Sequence, residues 1–257
     1  MKYKLFTKNG LENDALTKAV KDAIEKEPRL ISDSNPEIAI IVGGDGTFLA
    51  AVQELFPKNK ETKFLCFNGG TIGFYNDFTI DDVDDISKII FENKYSLGYI
   101  DALEAIIGNE HYFALNEFNI TGLNKNIDYD VYLDSDYLEH FFGAGIIVST
   151  PNGSPAYNRS LGGAIIDQSL HLMELTEVAG IHSKAYKSIG NTLVVSENRS
   201  FTFKANSIRV GYLYADGIKT TNLPLNEFKI TYSKNKVLSY VKKDDYFVNR
   251  LHKSIDL

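Results

Sequence analysis

Residues 37–42 read EIAIIV, and the run stops at once on Gly43, Gly44, Asp45, Gly46 and Thr47. A short, β-branched, continuously apolar run is the pattern of a strand buried on both faces, as in a parallel sheet covered by helices. Glycines let the backbone approach a bound group closely. Consecutive amides in such a turn form a nest for phosphate, and the helix expected over residues 48–56 presents its N-terminus to the same anion. A carboxylate inside that nest would repel phosphate, so Asp45 reads better as a base or a magnesium-facing group. The competing reading makes it the cap of a tight strand-to-helix turn. The turn is not a P-loop, because no Gly-x-x-x-x-Gly-Lys-[Ser/Thr] occurs. Nor is it a dinucleotide fingerprint, since Leu49 stands where the third glycine belongs.

The surrounding pattern extends this sheet. Residues 2–6 and 63–67 read as strands. Residues 14–24 place Leu16, Val20 and Ile24 at helical spacing, and residues 81–93 do the same with Val83, Ile86, Ile89 and Ile90 behind an acidic first turn. Alternating strands and helices predict an α/β domain with a parallel sheet over residues 1–97. From residue 99 the texture becomes two-residue alternation, as in 129–133, 201–204 and 228–232, with Gly and Asn turns between. This predicts an all-β, sandwich-like domain over 98–235 with one helical interruption at 155–162. Residues 236–257 are free to complete the first domain.

Composition narrows the function classes. The 257 residues are 44% hydrophobic and 24% charged, ordinary values for a packed globular chain. A net charge of −7 argues against nucleic acid or an anionic membrane as partner. With Cys66 alone an intrachain disulfide is impossible, which fits a reducing compartment. The opening MKYKLF lacks a signal peptide's apolar stretch, and no apolar run approaches the roughly 20 residues of a membrane span. The expectation is a cytoplasmic protein. The five histidines lack zinc-site spacing, and no Gly-x-Ser-x-Gly elbow occurs. Cys66 reads as a core residue, and Asp81, Asp82, Asp84 and Asp85 as a solvated helix start.

Two further stretches carry polar chemistry. Asn116-Glu117 follows an apolar run; an amide beside a carboxylate can read the donors and acceptors of a purine or ribose. Its bland reading is an exposed strand end. Residues 143–164, GAGIIVSTPNGSPAYNRSLGGA, run from a short strand into hydroxyls, glycines and the aromatic Tyr157. The bland reading there is a β-to-helix loop with Tyr157 in the core.

GGDGTFL at 43–49, LNE at 115–117 and STPNGSPAYNRSLGGA at 149–164 resemble the NAD kinase family, in that order and at similar intervals. LMELTEVAG at 172–180, followed by Ser188-Ile189-Gly190, is similar too. The first motif is shared with diacylglycerol, sphingosine and phosphofructokinase relatives; the third is far more specific. The resemblance implies an amino-terminal α/β domain, a carboxy-terminal β domain, and a site between them. It implies transfer of the γ-phosphoryl of ATP, carried with Mg²⁺, to the 2′-hydroxyl of the adenosine ribose of NAD. It also implies a homo-oligomer, a homotetramer or homodimer. By motif, Asp45 is the base. Gly43, Gly44, Gly46 and Thr47 form the phosphate turn, with Asp45 and Gly46 also meeting NAD. Asn116 and Glu117 hold the ribose and adenine side. Ala156, Tyr157 and Ser160 line the dinucleotide site with Asn158 alongside, and Ala179 matches a further contact. The chain departs from the family in two places. Ala144 replaces the aspartate of Gly-Asp-Gly, and Asn152-Gly153-Ser154-Pro155 replaces Thr-Gly-Ser-Thr. Pro155 removes a hydroxyl and a backbone N–H. At about 0.5–1.5 kcal/mol per lost hydrogen bond, the two changes weaken NAD binding by about tenfold. The alternatives are a lipid kinase with the same glycine turn and a non-catalytic NAD(P)-binding protein.

Overall fold

A computed structural model describes residues 1–12, 14–68, 73–122, 124–207, 210–220, 225–242 and 247–255. Part of the turn-rich stretch 68–76, residues 69–72, lies outside them. The chain divides into two compact units, residues 1–100 with 236–257, and residues 101–235.

The first unit contains strands β1 (Lys2–Thr7), β2 (Ile31–Ser32), β3 (Ile38–Val42), β4 (Lys63–Phe67) and β5 (Ser96–Ile100). Helices α1 (Ala15–Glu25), α2 (Asp45–Leu55) and α3 (Ile86–Phe91) alternate with them. β3 pairs in parallel with β1 on one side and β4 on the other, and all five of its residues are buried. That central position is what the unbroken apolar run demands. α1 starts at Asp14, whose carboxylate accepts from Thr17 N at 2.8 Å, and it buries Leu16, Val20 and Ile24 on one face.

The second unit is antiparallel throughout. Its strands are β6 (Leu103–Ile107), β7 (Glu110–Ala114), β8 (Glu117–Thr121), β9 (Ile127–Leu133), β10 (Asp136–Ser149) and β11 (Leu172–Gly180). They continue with β12 (Leu193–Ser196), β13 (Ser200–Ala205), β14 (Tyr212–Ala215), β15 (Ile218–Lys219) and β16 (Glu227–Tyr232). The fourteen-residue β10 is its spine, pairing with β8, β9 and β11. The alternating residues of these strands close on one core that includes Tyr129, Phe141, Phe201, Phe203 and Phe228. The expected α/β domain followed by a sandwich-like β domain is what the chain forms.

The chain then returns. β17 (Val237–Val241) enters the first sheet between β4, to which it is parallel, and β5, to which it is antiparallel. Helix α4 (Phe247–Ile255) follows. β5 belongs to this first sheet, so the boundary falls after residue 100 rather than 97.

Two sequence expectations change. Residues 81–93 form no single helix: a 3₁₀ turn (Ile80–Asp85) precedes α3. Asp82 closes that turn by accepting from Thr79 N at 2.7 Å, and it pairs with Lys242 Nζ at 2.7 Å. It is buried, so the acidic quartet is not a uniformly solvated start. The interruption near 155–162 begins earlier, as a kinked turn (Ser154–Asn158) with non-helical ψ at Ala156.

Candidate active site

In the first unit, β3 delivers the glycine turn to the carboxyl edge of the parallel sheet, where open α/β sheets bind ligands. The turn is tight: a Cβ at Gly43 would fall 2.4 Å from Thr47 Oγ1, so only glycine fits. Gly44 is the N-cap of α2 and provides no side-chain hydrogen bond, which leaves the cap to the backbone.

Asp45 is not the N-cap of the alternative reading but the first helical residue. Its Oδ2 accepts from Phe74 N at 2.7 Å, and its Oδ1 from Tyr75 N at 3.0 Å and Asn76 Nδ2 at 3.1 Å. Three donors from one segment fix the carboxylate in direction. The segment is pinned in turn. Tyr75 stacks on Phe48 of α2 at 5.0 Å, and Asn76 Oδ1 accepts from Cys66 Sγ. A Cβ at Gly73 would lie 2.2 Å from Asp45 Oδ1, so residue 73 must also be glycine. Cys66 is the buried core residue expected, and burial pushes its thiol up.

A cavity of about 480 Å³ opens beside this turn, lined by Thr7, Lys8 and Asn9 together with Gly44, Gly46 and Thr47. Sequence reading missed the first three. They sit there because Thr7 is in register with Val42 in the parallel β1–β3 pair. Lys8 supplies a cation next to a nest of amides, the combination that holds phosphate on an acidic protein.

The second unit organises the remaining residues around β8, β10 and β11. Asp216, in left-handed conformation at φ 51°, accepts from the amides of Leu115 (3.0 Å), Asn116 (2.7 Å) and Glu117 (3.3 Å). The motif loop is laced to the same backbone: Thr150 N donates to Asn116 O at 2.9 Å, and Gly153 N donates to Thr150 Oγ1 at 3.0 Å. A Cβ at Gly153 would fall 2.1 Å from Asn116 O. The structure therefore joins Asn116-Glu117 to the start of the third motif.

Glu117 is no exposed strand end. It is 7% exposed, its Oε2 is buried with no hydrogen-bond partner, and burial followed by the Asp216 charge pushes its carboxyl up to about 8. A ligand donor is what would satisfy that oxygen.

Beyond Gly153 the motif splits into two faces. Ala156, Tyr157 and Ser160 are exposed, Tyr157 at 45%, so Tyr157 is not a core residue. Asn158, expected alongside the dinucleotide contacts, turns its side chain the other way. It is fully buried, donates to Glu174 Oε2 at 2.7 Å and accepts from Thr176 Oγ1 at 2.7 Å. Glu174 also accepts from Ala164 N at 2.6 Å, so Asn158 and Glu174 are the rivets under the loop. Pro155 is buried at the start of the kinked turn.

Ala144 and Ala179 face each other across β10 and β11, between the register pairs Gly143–Gly180 and Gly145–Val178. The flanking glycines are dictated by crowding: a Cβ at Gly143 would lie 2.8 Å from Ala179 O, and one at Gly145 2.6 Å from Ile120 O. Ala179 has φ 47°, a strained value for a side-chain-bearing residue.

An anchored carboxylate in a glycine turn, at the edge of a parallel sheet and on a chain that adds an antiparallel β unit, defines a small-molecule kinase. The family models for the ATP-NAD kinase N-terminal and C-terminal domains match residues 3–95 and 116–241. The NAD kinase of Finegoldia magna is 37% identical over 245 residues, covering 90% of this chain and 89% of that one. The NAD kinase of Leuconostoc mesenteroides is 31% identical over 238 residues, 90% of each. The fold matches the crystal structure of an NAD kinase from Archaeoglobus fulgidus in complex with ATP (TM-score 0.79, 21% identity, 100% of each chain). It also matches yeast NADH kinase complexed with NADH (TM-score 0.81, 17% identity, 99% of this chain and 87% of that one). The chain belongs to the ATP-NAD kinase family. Among the described residues, no helix is long and apolar enough to cross a membrane.

Proposed function

We propose that this protein transfers the γ-phosphoryl of ATP to the 2′-hydroxyl of the adenosine ribose of NAD, yielding NADP. The observation that carries this reading is Asp45, held by three donors at the mouth of an uncapped helix. Phosphoryl transfer needs the acceptor hydroxyl in line with the γ-phosphorus and the spreading charge stabilised. Asp45 orients that hydroxyl and accepts its proton. The amides of Gly44 and Gly46, with Lys8, take the phosphates, while Thr47 N, which donates to Gly44 O at 3.0 Å, holds the turn. A Mg²⁺ carried by ATP would supply charge neutralisation at the phosphates. Among the described residues, Asp45 Oδ2 accepts one hydrogen bond, from Phe74 N, and so keeps a lone pair for the acceptor hydroxyl.

Asn116 and Glu117 read the adenosine, with Glu117 Oε2 taking a donor from it. Ala156, Tyr157, Ser160, Ala144 and Ala179 line the rest of the dinucleotide. Both family models are those of ATP-NAD kinases, which sets aside the lipid-kinase and non-catalytic readings. The working form is a homo-oligomer, a homotetramer or homodimer, in the cytoplasm. The test is NADP formation from ATP, Mg²⁺ and NAD, followed by a coupled dehydrogenase, with NADH and polyphosphate as parallel arms. No NADP from any combination refutes the reading.

Lys8→Ala is expected to raise KM for ATP about tenfold, the worth of one charge-assisted hydrogen bond, with KM for NAD unchanged in the same assay. Ala144→Asp combined with Pro155→Thr is expected to lower KM for NAD about tenfold, restoring two lost polar contacts; titration calorimetry with NAD checks it directly.

A further inference from the structure

β10 carries one carboxylate on the face that otherwise builds the apolar core. Its inward residues alternate through Glu139, Phe141, Gly143 and Gly145. A register shift between Tyr137 and Glu139 re-aims the strand just before this residue. Glu139 is 1% exposed, and its register partner on β9, Val131, offers it no charge. Its Oε2 accepts from Ile189 N at 2.7 Å, while its Oε1 is buried with no donor.

The group that faces it is Glu177 of β11. Glu177 accepts from Ser188 Oγ at 2.9 Å and from Gly190 N at 2.8 Å. Two carboxyl groups thus grip three consecutive residues, 188–190, from beneath. A buried carboxyl that faces a second carboxylate does not ionise readily. A proton on Glu139 removes the repulsion and turns its unpartnered Oε1 into a donor.

The grip shapes the region around Ala179. A Cβ at Gly180 would fall 2.4 Å from Glu177 Oε2, and a cavity of about 280 Å³ has Glu177, Gly180, His182 and Gly190 in its wall.

We propose that Glu139, held protonated against Glu177, makes the two carboxyl groups a pH-responsive clamp, seating residues 188–190 beside the dinucleotide contacts at Ala179. The link to the dinucleotide rests on the function proposed above; the clamp itself does not. The other titratable groups nearby are His182, whose Nδ1 meets Ser188 Oγ at 3.1 Å, and Tyr137 on the same strand. His140 points to the opposite face and pairs with Asp128 and Asp130 of β9; Lys187 meets β10 through its carbonyl.

Burial, then the Ile189 amide acting in the opposite sense, then the Glu177 charge, leave the Glu139 carboxyl raised to about 7. A raised acid is protonated in the folded state where the unfolded chain has already lost its proton. The clamp is therefore intact at low pH and released as pH rises through about 7.

The test compares wild type with Glu139→Gln, which mimics the protonated acid at every pH, and with Glu177→Gln. Amide exchange at residues 188–190 is measured from about pH 6 to about pH 7.5, corrected for intrinsic rates, with His182→Gln as the control for histidine titration. Wild type is expected to lose about fivefold in protection across that range, Glu139→Gln to stay flat, and Glu177→Gln to shift the midpoint downward. Equal profiles in wild type and Glu139→Gln overturn the clamp whether or not the protein is an NAD kinase. In turnover, KM for NAD is expected to rise with the same midpoint in wild type while kcat does not follow it. A separate inflection near 8, from Glu117, remains in both proteins. A midpoint near 7 in KM that survives in Glu139→Gln likewise overturns the proposal.

Discussion

Asp45→Asn is expected to leave a folded protein that still binds NAD and ATP but turns over about 10²–10⁴-fold more slowly, the range for removing a positioned base. The asparagine keeps the shape of the carboxylate and one acceptor. Its amide nitrogen, however, faces a donor among Phe74 N, Tyr75 N and Asn76 Nδ2, which all point at residue 45. One such conflict costs about 1–3 kcal/mol, or several degrees of melting temperature. That loss is small beside the loss of rate. Calorimetric binding of both substrates, thermal melting and single-turnover kinetics separate the two effects. Turnover close to that of wild type would remove Asp45 from the chemistry.

The second large effect is expected at a residue with no functional side chain. Gly153→Ala places a methyl group 2.1 Å from the carbonyl oxygen of Asn116 and 2.4 Å from its carbonyl carbon and Cα. These are backbone atoms tied to Thr150 and, through Asp216, to the chain on either side. Nothing flexible is available to give way, so the 115–117 backbone must move. A displacement of about 1 Å in a substrate-positioning element costs about 100-fold. The variant is expected to lose that much in kcat/KM for NAD, with KM for ATP held near wild type. A parallel rise in both KM values would mean general unfolding instead of a local shift.

How much of this could be read in the chain depends on sequence distance. β3 and its turn were legible because one short window holds both the unbroken apolar run and the glycines that end it. The β texture after residue 99 was legible for the same reason, as period-two alternation is local. What escaped were contacts made by folding. Leu115 and Asp216 are 101 positions apart, and no pattern in residues 115–117 announces the carboxylate that sets their backbone. Lys8 stood at the end of an unremarkable strand until the parallel β1–β3 register brought it to the glycine turn.

Asn158 shows the opposite case. It sits inside the most specific motif and next to exposed Tyr157, yet the kink at Ala156 sends its side chain inward to Glu174 and Thr176. The raised carboxyls of Glu117 and Glu139 were equally hidden: Glu117 lies off the Phe118–Ile120 core face of its strand, and only its neighbours in the fold reveal that it is buried.

The placement of β17 has a consequence for biosynthesis. This strand bridges β4 and β5, and it leaves the ribosome after all of the antiparallel unit. Domains usually fold in the order of synthesis, amino-terminal first. Here the unit translated first is the one completed last. Until residues 237–241 emerge, β4 is an exposed edge, the kind that recruits foreign strands, and β5 has no partner strand. The nascent chain carries its phosphate turn through most of translation on an unfinished sheet, while the unit translated in between already has all its strands.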